Sequence, residues 1–200
     1  VRIPSHPMAK LILETSKIPI AAPSANISGK VSPTTANHVL DSLGSRLNLI
    51  VDSGPCEVGL ESTVVDCTQE KPAILRPGGV TYEELTKVLG SLENRETDRL
   101  SPIAPGASDS HYAPSATIRM NANHARTGEG LLGFGPETDS NEIIKFNLSP
   151  AGNLVEAAAN LFSMIHKLDE EYDQIAVMPI PNHGLGIAIN DRLQRAAAPR

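Results

Sequence analysis

Residues 21–29 read A-A-P-S-A-N-I-S-G, and the way this stretch is understood decides the fold around it. A short apolar run, 18–22, leads into it with the length and composition of a buried strand. The chain then changes to small, polar, turn-forming residues. Ser24, Asn26 and Ser28 set two hydroxyls and one carboxamide on alternate positions. Pro23 fixes one backbone angle, and Gly29 frees another. A strand that opens into a rigid polar loop presents hydrogen-bonding groups to a small ligand. The same residues also make a plain surface turn. Taken alone, the stretch fits both.

Its neighbours repeat the arrangement. Upstream, Pro7 opens an expected helix over 7–16. Downstream, Ser32-Pro33 reads as an N-cap and first helical residue, with a helix to about 43 and Val39, Leu40 and Leu43 on its buried side. A short strand is expected at 49–51, another at 64–66 after Ser62 and Thr63, and a third at 73–75 ending in Arg76. Pro77-Gly78-Gly79 is a turn, and Thr81 with Glu84 forms a capping box for a helix over 81–89. Polar groups therefore recur at strand ends: Ser24 and Asn26, then Ser62 and Thr63, then Arg76. An arginine there suits a bidentate contact with phosphate or carboxylate, although a surface ion pair is the plainer use. Hydroxyls, an amide and a guanidinium bind and orient a polar anion. They do not make a Ser-His-Asp or Cys-His nucleophile, and no histidine has metal-ligand spacing.

Composition narrows the class. The 200 residues are 40% hydrophobic but only 3% aromatic, so aliphatic side chains must fill the core. A net charge of -6 argues against nucleic-acid binding by a broad basic surface. Apolar runs fall far short of the roughly 20 residues that span a bilayer, so no membrane partner is expected. Cys56 and Cys67 make neither a disulfide framework nor a metal cluster, which suits reduced thiols in the cytoplasm. Val1-Arg2-Ile3-Pro4 reads like a strand end, as in the back part of a longer protein.

The second half is α/β again. Residues 93–115 are polar and Pro-containing, as a linker is. Strands are expected at 117–120, 131–134, 143–146 and 175–178. Helices are expected at 154–168, with Leu154, Ala157, Ala158, Leu161, Ile165 and Leu168 as one stripe, and at 189–197, starting near Asn190. A small, parallel-leaning, Rossmann-like sheet follows from that alternation. Asn190-Asp191-Arg192 stands out without an assigned chemistry: its plainest reading is a helix cap followed by a solvated arginine, and the second domain's candidate jobs are holding the linker, gating the pocket or making a domain contact. Residues 128–133, G-E-G-L-L-G, fit G-x-G-x-x-G, but they run into a strand and no helix opens within them. A dinucleotide site is not expected there.

Three motifs in order, A-P-S-A-N-I-S-G, G-L-E-S-T-V-V-D and I-L-R-P-G-G, resemble the second half of the YrdC-type catalytic domain, and R-I-P-S-H-P fits its start. The later H-Y-A-P and G-L-G-I-A-I-N-D-R-L resemble the longer, two-domain members. The resemblance implies an α/β fold: the C-terminal portion of a YrdC-like domain at 1–92, a linker at 93–115 and a Rossmann-like second domain at 116–200. It implies an L-threonylcarbamoyladenylate synthase that uses L-threonine, bicarbonate and ATP, with Mg2+ assisting, and tRNA or tRNA-modification proteins as partners. It gives Arg2, Ser24 and Ser62 to threonine, and Asn26, Thr34, Arg76 and Tyr112 to ATP, with Thr63 and His111 as further candidates.

The family's Lys- and Arg-bearing nucleotide segment and its Thr-rich loop are expected upstream of Val1, so these 200 residues are expected to be inactive alone. Between Gly106 and His111, where some members carry basic residues, this chain has Ala107-Ser108-Asp109-Ser110. The alternative function is a non-catalytic nucleotide- or RNA-binding module of translation or regulation.

Overall fold

A computed structural model describes residues 1–93, 110–136 and 145–199. Most of the expected linker, including Pro105 and Gly106, lies outside the described residues, as do 143–144 of the expected strand at 143–146.

The second region builds its own core. Strands β3 (Thr117–Arg119), β4 (Glu129–Gly133), β5 (Phe146–Asn147) and β6 (Gln174–Val177) form a parallel sheet in the order β3-β6-β4-β5. Ile175 of β6 stands opposite both Ile118 of β3 and Gly130 of β4. Sheets of this kind are covered on both faces, which is why Ile175, Ala176 and Val177 are buried in succession instead of alternating. Helix α4 (Leu154–Glu171) lays Ala157, Ala158, Leu161, Phe162, Ile165 and Leu168 onto the sheet. Asn153 caps it by accepting from the Val155 and Glu156 amides. The approach is close: a Cβ on Gly130 would come within 2.6 Å of Leu168 and Tyr172 side-chain atoms. The glycines of 128–133 thus run into β4 and give the helix its seat. Helix α5 (Leu185–Ala196) completes the layer with Ala188, Ile189, Leu193 and Ala196 buried. It begins well before Asn190, whose amide bonds the Ile180 carbonyl from inside the helix instead of capping it.

The first region is looser. Helix α1 (Pro7–Ser16) is capped by His6, whose Nδ1 accepts from the Met8 amide. Helix α2 (Ala36–Leu43) starts later than expected, capped by Thr35, because Ser32 is engaged elsewhere. Strands β1 (Val64–Asp66) and β2 (Ala73–Arg76) form an antiparallel pair with an irregularity between Val64 and Val65. Helix α3 (Tyr82–Leu89) has the expected Thr81–Glu84 capping box in both directions. None of α1, α2 or α3 has a buried residue. Val39 and Leu43 are half-covered and Leu40 is exposed, so the expected buried side of α2 does not form. The expected strands at 18–22 and 49–51 do not form either. A strand exists through hydrogen bonds to a neighbour. Among the described residues neither segment has one, and Leu49 stays 78% exposed.

The two regions are joined at several points. The Ala113 amide donates to the Gly29 carbonyl at 2.8 Å. His166 of α4 stacks on His38 of α2 with centroids 4.1 Å apart, and its Nε2 lies 3.2 Å from the Ser32 carbonyl. Gly59, at φ +69°, lies where a Cβ would meet the Ala158 carbonyl at 2.3 Å.

Candidate functional site

A cleft of about 1000 Å³ opens beside these contacts. Ser24, Ser32, Thr34 and Glu61 line it from the first region, and Phe162 of α4 forms part of its wall.

The strongest local arrangement centres on Ser62. Arg2 Nη1 donates to the Ser62 hydroxyl at 3.1 Å, and Nη2 donates to the Ala22 carbonyl at 3.1 Å. From the other side, Arg76 Nη2 donates to the Ser62 carbonyl at 2.7 Å. Two guanidiniums thus converge on one serine. Arg76 is only 8% exposed, so its use is not that of a surface ion-pair arginine. The turn after it is laid flat on the serine's backbone. A Cβ on Gly78 would lie 2.3 Å from the Glu61 carbonyl and 2.4 Å from the Thr63 amide. Gly79 N donates to the Glu61 carbonyl, and Thr63 Oγ1 donates to the Val80 carbonyl. The Thr63 hydroxyl therefore holds the turn.

The polar loop shapes itself. Asn26 Nδ2 donates to the Ile27 and Lys30 carbonyls, both at 3.0 Å, while its Oδ1 is buried without a hydrogen bond. Ser24 lies at the cleft and is exposed. Thr34 is buried, and its amide donates to His38 Nδ1 at 3.2 Å, which leaves the His38 proton on Nε2. Burial, and then the charge of His166, push His38 below its ordinary value.

Tyr112 does not line the cleft. Its backbone is left-handed at φ +59°, and the residue is 1% exposed. The ring lies 5.6 Å from Phe162 and edge-on to His111 at 4.1 Å, one ring behind the cleft wall. Burial raises the Tyr112 phenol and lowers the His111 imidazole. His111 Nδ1 is buried without a hydrogen bond.

Glu61, which the sequence reading passed over, and Arg192 tie the site together. Glu61 Oε1 accepts from the Ser32 hydroxyl at 2.6 Å, and Oε2 accepts from Arg192 Nε at 2.8 Å. Burial pushes the Glu61 carboxyl up, but the Arg192 charge and these hydrogen bonds outweigh it and hold the group below its ordinary range. Arg192 is not solvated: its exposure is 0%. A signal for it was present. It falls on the stripe Ala188, Ile189, Leu193, Ala196, where every other residue is apolar. Nothing local marks Glu61 in the same way.

Among the described residues, no group of three or more His, Cys, Asp or Glu is placed to hold a metal, and no helix is long and apolar enough to cross a membrane.

Comparison with known proteins adds the following. Residues 1–78 match the Sua5/YciO/YrdC family, described as "Telomere recombination". Residues 80–198 match the Sua5 C-terminal family, described as "Threonylcarbamoyl-AMP synthase, C-terminal domain". The threonylcarbamoyl-AMP synthase of Bacillus subtilis is 35% identical over 218 residues, covering 100% of this chain and 63% of that protein. The enzyme of that name from Pyrococcus abyssi is 35% identical over 224 residues, covering 100% and 64%. The crystal structure of P. abyssi Sua5 complexed with L-threonine superposes with a TM-score of 0.85 at 34% identity, covering 98% of this chain and 63% of that one. A structure of the same protein with an adjacent His and Tyr both changed to Ala superposes with a TM-score of 0.82 at 31% identity, covering 98% and 62%. The chain thus spans a little under two thirds of the length of these relatives.

Proposed function

We infer the activity of this chain from one premise: it belongs to the threonylcarbamoyl-AMP synthase family that carries the Sua5 C-terminal domain. We propose that the polypeptide makes L-threonylcarbamoyl-adenylate and pyrophosphate from L-threonine, bicarbonate and ATP. The product supplies the threonylcarbamoyl group for an adenosine of tRNA, in the cytoplasm, with tRNA or tRNA-modification proteins as partners. The observation that carries this reading is the convergence of Arg2 and Arg76 on Ser62, next to a cleft lined by Ser24 and Thr34. The polypeptide divides into a YrdC-like part at 1–92, a connecting segment at 93–115 and a Rossmann-like domain at 116–200.

On this reading the threonine amine condenses with bicarbonate, releasing water and leaving a carbamate. A carbamate oxygen attacks the α-phosphorus of ATP, the bond to the bridging oxygen breaks, and pyrophosphate departs. Ser24 and Ser62 hold the amino acid, and Arg2 faces its carboxylate. Asn26, Thr34 and Arg76 hold the nucleotide, with Tyr112 and His111 supporting that side from behind the Phe162 wall. The chain's part is positioning and charge neutralisation, not covalent catalysis. Mg2+ would arrive on the ATP phosphates, which supply its oxygen ligands, and no residue here is assigned to it. An adjacent histidine and tyrosine are altered in the P. abyssi variant, and His111-Tyr112 is the one His-Tyr dipeptide of this chain.

The test is threonine- and bicarbonate-dependent pyrophosphate release by a polypeptide of the relatives' full length. Ser24→Ala and Arg76→Ala each lower it by about tenfold or more, the loss of one charge-assisted contact. If neither changes threonine or ATP use, the site is wrongly assigned. The 200 residues alone are inactive, and pyrophosphate release at the full-length rate would overturn that expectation.

A further inference from the structure

We propose that Arg192, on the second domain, is a positioning residue for the threonine side of the site, setting Ser62 through Glu61 and the turn after Arg76 through Pro77. The proposal rests on the functional reading above for what Ser62 does, but not for where it is held.

The argument begins with cost. A guanidinium taken wholly out of water loses several kcal/mol of hydration, and a buried ion pair often stabilises no more than apolar residues of the same volume. Leu or Met would fit the apolar stripe of α5 without that cost. What an arginine adds is direction, because its planar fork fixes several partners at once. Each arm is used here. Nε reaches the Glu61 carboxylate at 2.8 Å, Nη2 reaches the Pro77 carbonyl at 2.9 Å, and Nη1 meets Asp191. Arg192 Cζ lies over the Tyr112 ring, 5.0 Å from the ring centre.

These partners are not scattered. Glu61 adjoins Ser62, Pro77 adjoins Arg76, and Tyr112 is itself a candidate. Through its second oxygen, Glu61 also holds the hydroxyl of Ser32 on the cleft wall, two residues from Thr34. One side chain from α5 therefore meets the sequence neighbours of Ser62 and Arg76 and the ring of Tyr112, and through Glu61 it reaches Ser32 near Thr34. Asp191 is held in turn by Arg195 at 3.0 Å, so the arginine is braced from its own helix.

Two measurements decide it. The first uses a polypeptide of the relatives' full length carrying Arg192→Lys, or Glu61→Gln with Arg192→Met, a pair that removes both charges together and leaves no buried ion unpaired. Arg192 touches no substrate in this scheme, so its loss should loosen ground-state holding. KM for L-threonine rises about tenfold in the double variant while kcat moves less. Arg192→Lys, which keeps the charge but not the fork, falls between. A folded double variant with unchanged KM would sink the proposal.

The second measurement uses the 200-residue chain and hydrogen–deuterium exchange. In the double variant, exchange quickens at 59–63 and 76–80 and stays as before in β4 and β6. Unaltered exchange in those two segments, or equal quickening throughout, overturns positioning. If the unaltered full-length polypeptide releases no pyrophosphate with threonine, it is the functional reading that fails, and the exchange result still decides the role of Arg192.

Discussion

Helices α1 and α4 carry apolar residues at similar helical spacing, yet α4 buries six residues and α1 buries none. The contrast extends to the regions around them. The described residues of 110–136 and 145–199 surround a parallel sheet of their own, whereas among the described residues of the first region the strand pairing is β1 with β2. Leu49 and Val88 stay open there, Val88 at 82% exposure. Periodicity prepares a face for burial, but burial needs a second layer in reach. The first region meets the second at Val31, Gly59 and Glu61, and the last two line the cleft.

The widest gap should separate core truncations. Leu161→Ala on α4 removes a fully buried side chain and costs about 2–5 kcal/mol in urea unfolding. Leu11→Ala on α1 acts on an exposed residue and costs about 0.5 kcal/mol or less. Equal losses would break the comparison. The junction comes next. Gly54 and Gly59 both have positive φ, so alanine at either costs about 1–2 kcal/mol in backbone strain. Only at Gly59 does the new Cβ also strike the Ala158 carbonyl, so Gly59→Ala should lower the thermal midpoint clearly further than Gly54→Ala.

A smaller loss tests the first region by itself. Thr81→Ala removes the side-chain half of the α3 capping box, in which the Thr81 hydroxyl accepts from the Glu84 amide, and costs about 1 kcal/mol. If the unfolding midpoint does not move, α3 contributes nothing to the cooperative unit. The slightest effect expected is on pH. His38 and His111 both sit below their ordinary value of 6.5, held there first by burial. The unfolded chain then binds more protons than the folded one between the two values. Their contribution is complete above 6.5 and is lost as pH falls toward the folded values. Unfolding followed from about pH 8 to about pH 5.5 should show stability falling, and His38→Asn should flatten the slope. A rise on acidification would mean that His38 and His111 are not held below their ordinary value.

Much of the site could be read from the chain because its motifs are local. Ser62, Thr63 and Arg76 lie on either side of one hairpin, and the Pro77-Gly78-Gly79 turn that closes over them is a short-range feature. Thr63 was read as a ligand candidate, but its hydroxyl is committed to Val80. Ser32 looked like a helix cap because Ser-Pro is a cap signal. The carboxylate of Glu61, 29 residues away, takes its hydroxyl instead, and Thr35 caps the helix.

What the sequence determined by itself is what acts within a few residues: the α4 stripe, the Thr81–Glu84 cap and the polar loop at 21–29. Such features depend on helical spacing, side-chain reach and backbone preference, all written locally. Tertiary structure alone decided which apolar runs became strands, since 18–22 and 49–51 needed partners that no local pattern supplies. It also decided that Arg192 would be buried against Glu61, 131 residues away. A charge on an apolar stripe announces that a partner exists, but only the packing of α5 against the first region names it.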